Sequence, residues 1–143
     1  MRRVRVLAVD FGEKRIGLAV SDEAGRVVVP VGAFARASDA QAAAAVADAA
    51  REREVARVVV GLPRNLDGRE GLLARRARNF ARRLAAATSL PVDLHGEALT
   101  SVAADAALDE ARVSSRDRAG RRDAEAAAVL LRDWLSVHAG DVG

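Results

Sequence analysis

Apolar residues along this chain keep two different periods. From Arg3 to Asp10 a short, mostly apolar run ends on an acid, Gly12 breaks it, and Ile16, Leu18 and Val20 then alternate through Arg15–Ser21. Alternating runs on either side of a glycine turn predict a β-hairpin. Asp22–Arg26 reads as a second turn, and Val27–Phe34 as a third strand whose Pro30 points to a sheet edge or a bulge. Ser38, followed three residues later by Gln41, is a capping box that opens a helix running through alanines to about Glu54. Val55–Leu62 has no alternation, the pattern of a strand covered on both faces inside a parallel sheet. Leu73, Ala77, Phe80, Ala81 and Leu84 recur at helical spacing and predict a helix over Glu70–Thr88. Pro91–His95 reads as a fifth strand. Leu99–Ala111 reads as a helix capped by Thr100 or Ser101. Arg112–Gly120 is polar and ends on glycine, so a mobile loop is expected there. Arg121–His138 is the last helix, with Ala127, Leu130, Leu131 and Trp134 on its buried stripe and residues 139–143 as a frayed end. Trp134 is assigned to packing rather than to stacking on a ligand.

In order, these are three antiparallel strands, helix, strand, helix, strand, helix, helix. That order predicts an α/β fold with a mixed five-stranded sheet: an antiparallel meander, then parallel strands, with helices on both faces. It is the ribonuclease-H-like arrangement. A chain of 143 residues is expected to form one domain, here residues 1–138, with a core of its own. Hydrophobic residues make up 50% and charged residues 30%, which excludes a disordered chain. No apolar run approaches the ~18 residues of a membrane span, and the basic N-terminus has no small-residue cleavage site. Cysteine is absent, which excludes disulfides, thiolate metal sites and a cysteine nucleophile. A cytoplasmic protein fits.

Charge adds more. The formal net charge is +3, yet the pI is about 10.7, because Lys14 is the one lysine among 23 basic residues and the rest are arginines. Arginine stays charged and forks onto phosphates. Compositional bias can produce arginine richness by itself, so its clustering is the better signal. Arg75, Arg78 and Arg82 fall on one flank of the second helix, either a solvated face or a phosphate-facing patch. Arg116, Arg118, Arg121 and Arg122 crowd the segment before and at the start of the last helix. Lys14 and Arg15 flank the first hairpin beside Asp10, where they are expected to touch a nucleic-acid backbone. The Gly61–Arg69 loop follows the fourth strand, where Arg64 and Asn65 either hold a phosphate or build a turn. His95 shares a strand face with Glu97 and reads as a packed or hydrogen-bonded residue.

Three acids stand out by position. Asp10 ends the first strand, Glu97 follows the fifth, and Asp123 sits in the expected first turn of the last helix. Singly, they read as a turn aspartate, a surface acid and a dipole-complementing residue. Together they fall at one edge of the predicted sheet, outside the carboxyl ends of its parallel strands, where such sheets bind ligands. Three carboxylates at one spot repel and need cations. Mg2+ or Mn2+ suits oxygen-only ligands. Two such ions, about 4 Å apart, would activate a water and stabilise the leaving oxygen of a phosphodiester.

Five ordered blocks carry a family resemblance: Leu7-Ala-Val-Asp-Phe-Gly12, Arg15-Ile-Gly-Leu-Ala-Val-Ser21, Val60-Gly-Leu-Pro-Arg-Asn-Leu-Asp-Gly68, Glu97 followed by Leu99-Thr100-Ser101, and Gly120 with Asp123. Over nearly its whole length the chain resembles the YqgF/RuvX family, described as Holliday junction resolvases and proposed as nucleases that process the 5′ end of the 16S ribosomal RNA precursor. The resemblance implies a ribonuclease-H-like fold and a metal-dependent endonuclease with Asp10, Glu97 and Asp123 as its metal-binding acids. It also implies branched DNA or pre-16S rRNA as the partner. Paired cuts in a junction would call for a homodimer, whereas RNA trimming would not. The chain departs from the family pattern at Gly96 and Ala98, where an acid and an arginine are usual. That departure keeps a second class open: a structured-nucleic-acid-binding module of the same fold without catalysis. A nucleotide-binding domain of the actin/sugar-kinase type shares the Asp-x-Gly turn but needs two domains, and ranks lower.

Overall fold

A computed structural model of the chain describes residues 4–63, 71–97 and 115–138. Its elements are β1 (Val6–Phe11), β2 (Arg15–Ser21), β3 (Val28–Ala35), α1 (Asp39–Glu52), β4 (Arg57–Pro63), α2 (Leu72–Thr88), β5 (Val92–Glu97) and α3 (Ser115–Val137). The sheet has five strands in the order β3-β2-β1-β4-β5. β1 pairs antiparallel with β2 and β2 with β3, whereas β1, β4 and β5 run parallel. This is the ribonuclease-H-like sheet that the element order predicts.

Local chemistry explains the meander. Gly12 N–H donates to the Arg15 carbonyl at 2.9 Å, closing the β1–β2 turn. A Cβ at Gly12 would stand 2.6 Å from that carbonyl oxygen, so the turn needs glycine for room. Arg36, just past β3, clamps the same turn from outside. Its Nε donates to Gly12 O at 3.3 Å, and its terminal nitrogens donate to Glu13 O and to Asp39 Oδ1, the latter at 2.8 Å. Its guanidinium lies 4.9 Å from the centre of the Phe11 ring, a cation–π distance. β3 is both an edge strand and bulged: the β2 register slips between Leu18 and Ala19, which face Gly32 and Pro30. Pro30 therefore signals both features.

Both faces of the sheet are covered. Leu7, Val9 and Phe11 of β1 and Val58, Val60 and Leu62 of β4 share one core with Ala42, Val46 and Ala50 of α1 and Phe80 and Leu84 of α2. On the opposite face Val6, Ala8 and Val59 pack on Leu130, Leu131 and Trp134 of α3, and Ala19 meets Ala127 and Ala128. Trp134 is 2% exposed, a packing residue as expected. Double coverage is why the β4 run Val58–Val60 carries no polar alternation.

Two boundaries differ from expectation. β5 continues through Gly96 to Glu97, so Glu97 belongs to the strand rather than following it. α3 starts at Ser115, so residues 115–120 are helix, not loop, and Asp123 lies about two turns inside rather than in the first turn. The misleading signal is Gly120, which reads as a helix stop but sits inside α3 beneath the Arg15 side chain. The expected Leu99–Ala111 helix, the Arg64–Asn65 loop and residues 139–143 lie outside the described residues. Among the described residues no helix is long and apolar enough to cross a membrane.

Phe80 is fully buried, its ring centroid 4.9 Å from that of Phe11. Phe80→Ala should cost about 3–5 kcal/mol by urea unfolding, from lost burial and the cavity left behind. A loss below about 1 kcal/mol would mean that this α2–sheet core is not packed as described.

Candidate functional site

β1, β4 and β5 end at the same edge of the sheet because they run parallel. Asp10 is the next-to-last residue of β1. Strand alternation places it on the face of Val6 and Ala8, which is the α3 face. Its cross-strand partner in β2 is Gly17. A Cβ built on Gly17 would fall 2.0 Å from Asp123 O and 3.0 Å from Ala124 N, so the α3 backbone rests directly on this glycine. Asp10 and Asp123 are therefore both neighbours of Gly17, one beside it in the sheet and one above it.

Arg15 lies on the same face, two residues before Gly17. Its Nε donates to Asp123 Oδ2 at 2.7 Å. The Arg15 side chain is 41% exposed and that of Asp123 17%. A Cβ on Gly120 would stand 3.4 Å from Arg15 Nη2, so the guanidinium runs along α3 from Asp123 back over Gly120. Glycine inside a helix costs about 1 kcal/mol relative to alanine; at Gly120 the neighbour across that bare backbone is the Arg15 guanidinium.

Glu97 takes the last register position of β5, opposite Pro63 and two residues past His95. β4 lies between β1 and β5. Asp10 and Glu97 thus stand two strand spacings apart, each about 4.8 Å. The Glu97 side chain lies outside the described residues. Among the described residues no three histidine or acidic side chains gather in metal-binding range. His95 Nε2 is 2.5 Å from Asp133 Oδ2, which ties β5 to α3; the side chain is 15% exposed. This is the hydrogen-bonded histidine expected.

The basic residues divide. Lys14 is exposed in the turn after Asp10, and Arg121 and Arg122 are exposed on α3 near Asp123. Arg15 is the counter-ion of Asp123. Arg75, Arg78 and Arg82 lie on α2, which packs on the opposite face of the sheet, so the structure does not bring this stripe to the acids. Arg82 Nη1 donates to Asn79 Oδ1 at 3.0 Å. Arg116 and Arg118 fall within α3, but their side chains, like Arg64 and Asn65, lie outside the described residues. Two residues that the sequence reading did not single out shape the site, Gly17 and Arg36; Gly120 reads from sequence as the end of a loop rather than as a helical residue under Arg15. A glycine in a strand interior is a known mark of close backbone approach, and Gly17 carried that signal.

Comparison with known proteins gives a consistent picture. The family model described as "RuvX: Holliday junction resolvase" matches residues 4–137. A protein of Anaeromyxobacter dehalogenans (strain 2CP-C), named "Putative pre-16S rRNA nuclease", is 52% identical over 132 residues, covering 92% of this chain and 96% of that protein. A protein of the same name from Acidiphilium cryptum (strain JF-5) is 42% identical over 136 residues, covering 95% of this chain and 86% of its own. Among solved structures, T. thermophilus RuvC in complex with Holliday junction substrate superposes with a TM-score of 0.57 at 17% identity, covering 95% of this chain and 96% of that one. That likeness is one of fold.

Gly17→Ala should lift α3 off β2, because the new methyl would have to displace helix backbone rather than a side-chain tip. A loss of about 1–3 kcal/mol in urea unfolding is expected. Stability within about 0.5 kcal/mol of the parent, the range of an ordinary surface change, would contradict this contact.

Proposed function

The chain belongs to the RuvX family of Holliday junction resolvases, and we propose that it is a hydrolase: a divalent-metal-dependent endonuclease for structured nucleic acid. The observation that carries the reading is that Asp10 of β1 and Asp123 of α3 are both neighbours of Gly17, near the edge where the parallel strands β1, β4 and β5 end. Carboxylate oxygens suit Mg2+ or Mn2+. The position of Asp123 supports a cation, since it already holds the Arg15 guanidinium at 2.7 Å. Asp10, Glu97 and Asp123 would hold the metal, in a one- or two-ion site. When bound there, such ions supply an activated water and charge stabilisation at the leaving oxygen of a phosphodiester.

The other residues bind and orient. Lys14, Arg121 and Arg122, exposed and close in sequence to Asp10 and Asp123, would take phosphates on either side of the scissile bond. Arg64 and Asn65, after β4, would meet the strand from the neighbouring loop, and Arg116 and Arg118 would extend the path along α3. Arg75, Arg78 and Arg82 reach only a substrate that wraps round the sheet edge, a property of branched or folded nucleic acid rather than of a straight single strand. Phosphate contacts supply most of the affinity, so binding should fall steeply with salt. The names of relatives at up to 52% identity favour the 16S rRNA precursor as substrate; the family description favours four-way DNA junctions. A cytoplasmic enzyme suits either, and paired junction cuts would require a homodimer.

Purified protein with Mn2+ should cleave a four-way junction or a structured precursor RNA. Asp10→Asn should reduce cleavage to background while the circular dichroism spectrum stays that of the parent. Cleavage by Asp10→Asn at the parental rate would remove Asp10 from the site. Tight binding of both substrates by the parent, with no cleavage at high enzyme, would favour the non-catalytic module.

A further inference from the structure

We propose that Arg15 is a built-in competitor of the divalent ion: it holds Asp123 while the acids carry no metal, and it passes to a substrate phosphate when Asp123 is released. The proposal rests on the nuclease reading above and deepens it, by assigning how loading of the site is coupled to nucleic acid.

The geometry is that of a seat rather than an incidental contact. The Arg15 backbone is held by the Gly12 N–H bond at 2.9 Å in a turn that Arg36 clamps. Its guanidinium lies on α3 over a helical residue that has no side chain, Gly120. The bond to Asp123 runs through Nε at 2.7 Å. A forked pair would engage two nitrogens at once; here Nε alone holds Asp123 and Nη2 lies beside α3 at Gly120. With 41% of its side chain exposed, Arg15 can exchange one anionic partner for another without unfolding its surroundings. Arginine keeps its charge at any working pH and matches phosphate geometry, so the exchange does not depend on a proton.

The thermodynamic consequence follows by linkage. Asp123 cannot serve Arg15 and a divalent ion fully at the same time, so Arg15 weakens ion binding in the free enzyme. A phosphate that draws Arg15 away removes the competitor. Nucleic acid and ion then each raise the other's affinity by the same factor. For a partly exposed pair that factor should be roughly 5- to 10-fold, the low end of typical couplings.

The test is Mn2+ binding, read by electron paramagnetic resonance or calorimetry, with and without a phosphorothioate duplex that resists cleavage. Arg15→Gln should bind Mn2+ roughly 5- to 10-fold more tightly than the parent. The duplex should tighten Mn2+ binding to the parent by a similar factor and leave Arg15→Gln nearly unchanged. Arg26→Gln removes the same charge from the distant β2–β3 turn, where Arg26 is exposed, and should leave Mn2+ affinity within about twofold. Arg15→Lys, which keeps the charge but loses the Nε donor, should fall between parent and Arg15→Gln, and it carries the test if the glutamine variant does not fold. Equal or weaker Mn2+ binding by both Arg15 variants overturns the proposal, as does an Arg26→Gln effect as large as that of Arg15→Gln. The nuclease reading fails separately: if the parent binds no Mn2+, or Asp10→Asn binds it as the parent does, the metal site itself is wrong.

Discussion

The contact between α3 and Gly17 is the constraint from which the site follows. A helix cannot rest its backbone on a strand unless the strand residue beneath it has no side chain, and a Cβ at Gly17 would lie 2.0 Å from Asp123 O. Because Gly17 pairs with Asp10, that approach sets one acid of β1 beside one acid of α3. The hydrophobic seam of Val6, Ala8 and Val59 against Leu130, Leu131 and Trp134 supplies the burial that holds the helix there. Packing farther along α3 thus decides where a carboxylate stands at the site.

Electrostatics then demands a cation. Two carboxylates beside one glycine, with a third acid at the end of β5, raise one another's free energy unless positive charge is supplied. Arg15 supplies such a charge at Asp123. A second arginine, Arg36, plays a different part: its side chain is 7% exposed, it takes up the carbonyls of the β1–β2 turn, and it fixes the backbone just beyond Asp10. The two arginines divide the work, one neutralising an acid and one holding the frame.

Much of the fold is legible in local pattern. Alternation through Ile16, Leu18 and Val20 with Gly12 before it specifies the hairpin, and the unbroken Val58–Val60 run specifies a strand covered on both faces. The start of α3 is not legible, because residues 115–122 are mostly polar and carry a glycine, and so offer no apolar stripe at helical spacing. The end of β5 is missed for a related reason: Gly96 offers no side chain to extend the pattern to Glu97. At the site, the placing of Asp10 and Glu97 at one edge follows from the parallel strands, and that of Asp123 from the seat of α3 on Gly17. The role of Arg15 does not, because its partner is 108 residues away and a basic residue beside an acid reads equally well as a phosphate contact. The α2 arginines show the complementary limit. Helical spacing tells that Arg75, Arg78 and Arg82 share a flank, but only the chain's path tells that α2 and the acids occupy opposite faces.

The most direct measurement of the central claim is anomalous X-ray diffraction from crystals soaked in MnCl2. On that claim, a manganese peak is expected at the corner where β1 ends beneath α3, bound by Asp10 and Asp123, with the Arg15 guanidinium turned away from Asp123. A saturating soak that leaves Arg15 on Asp123 and no manganese between the two acids would contradict it.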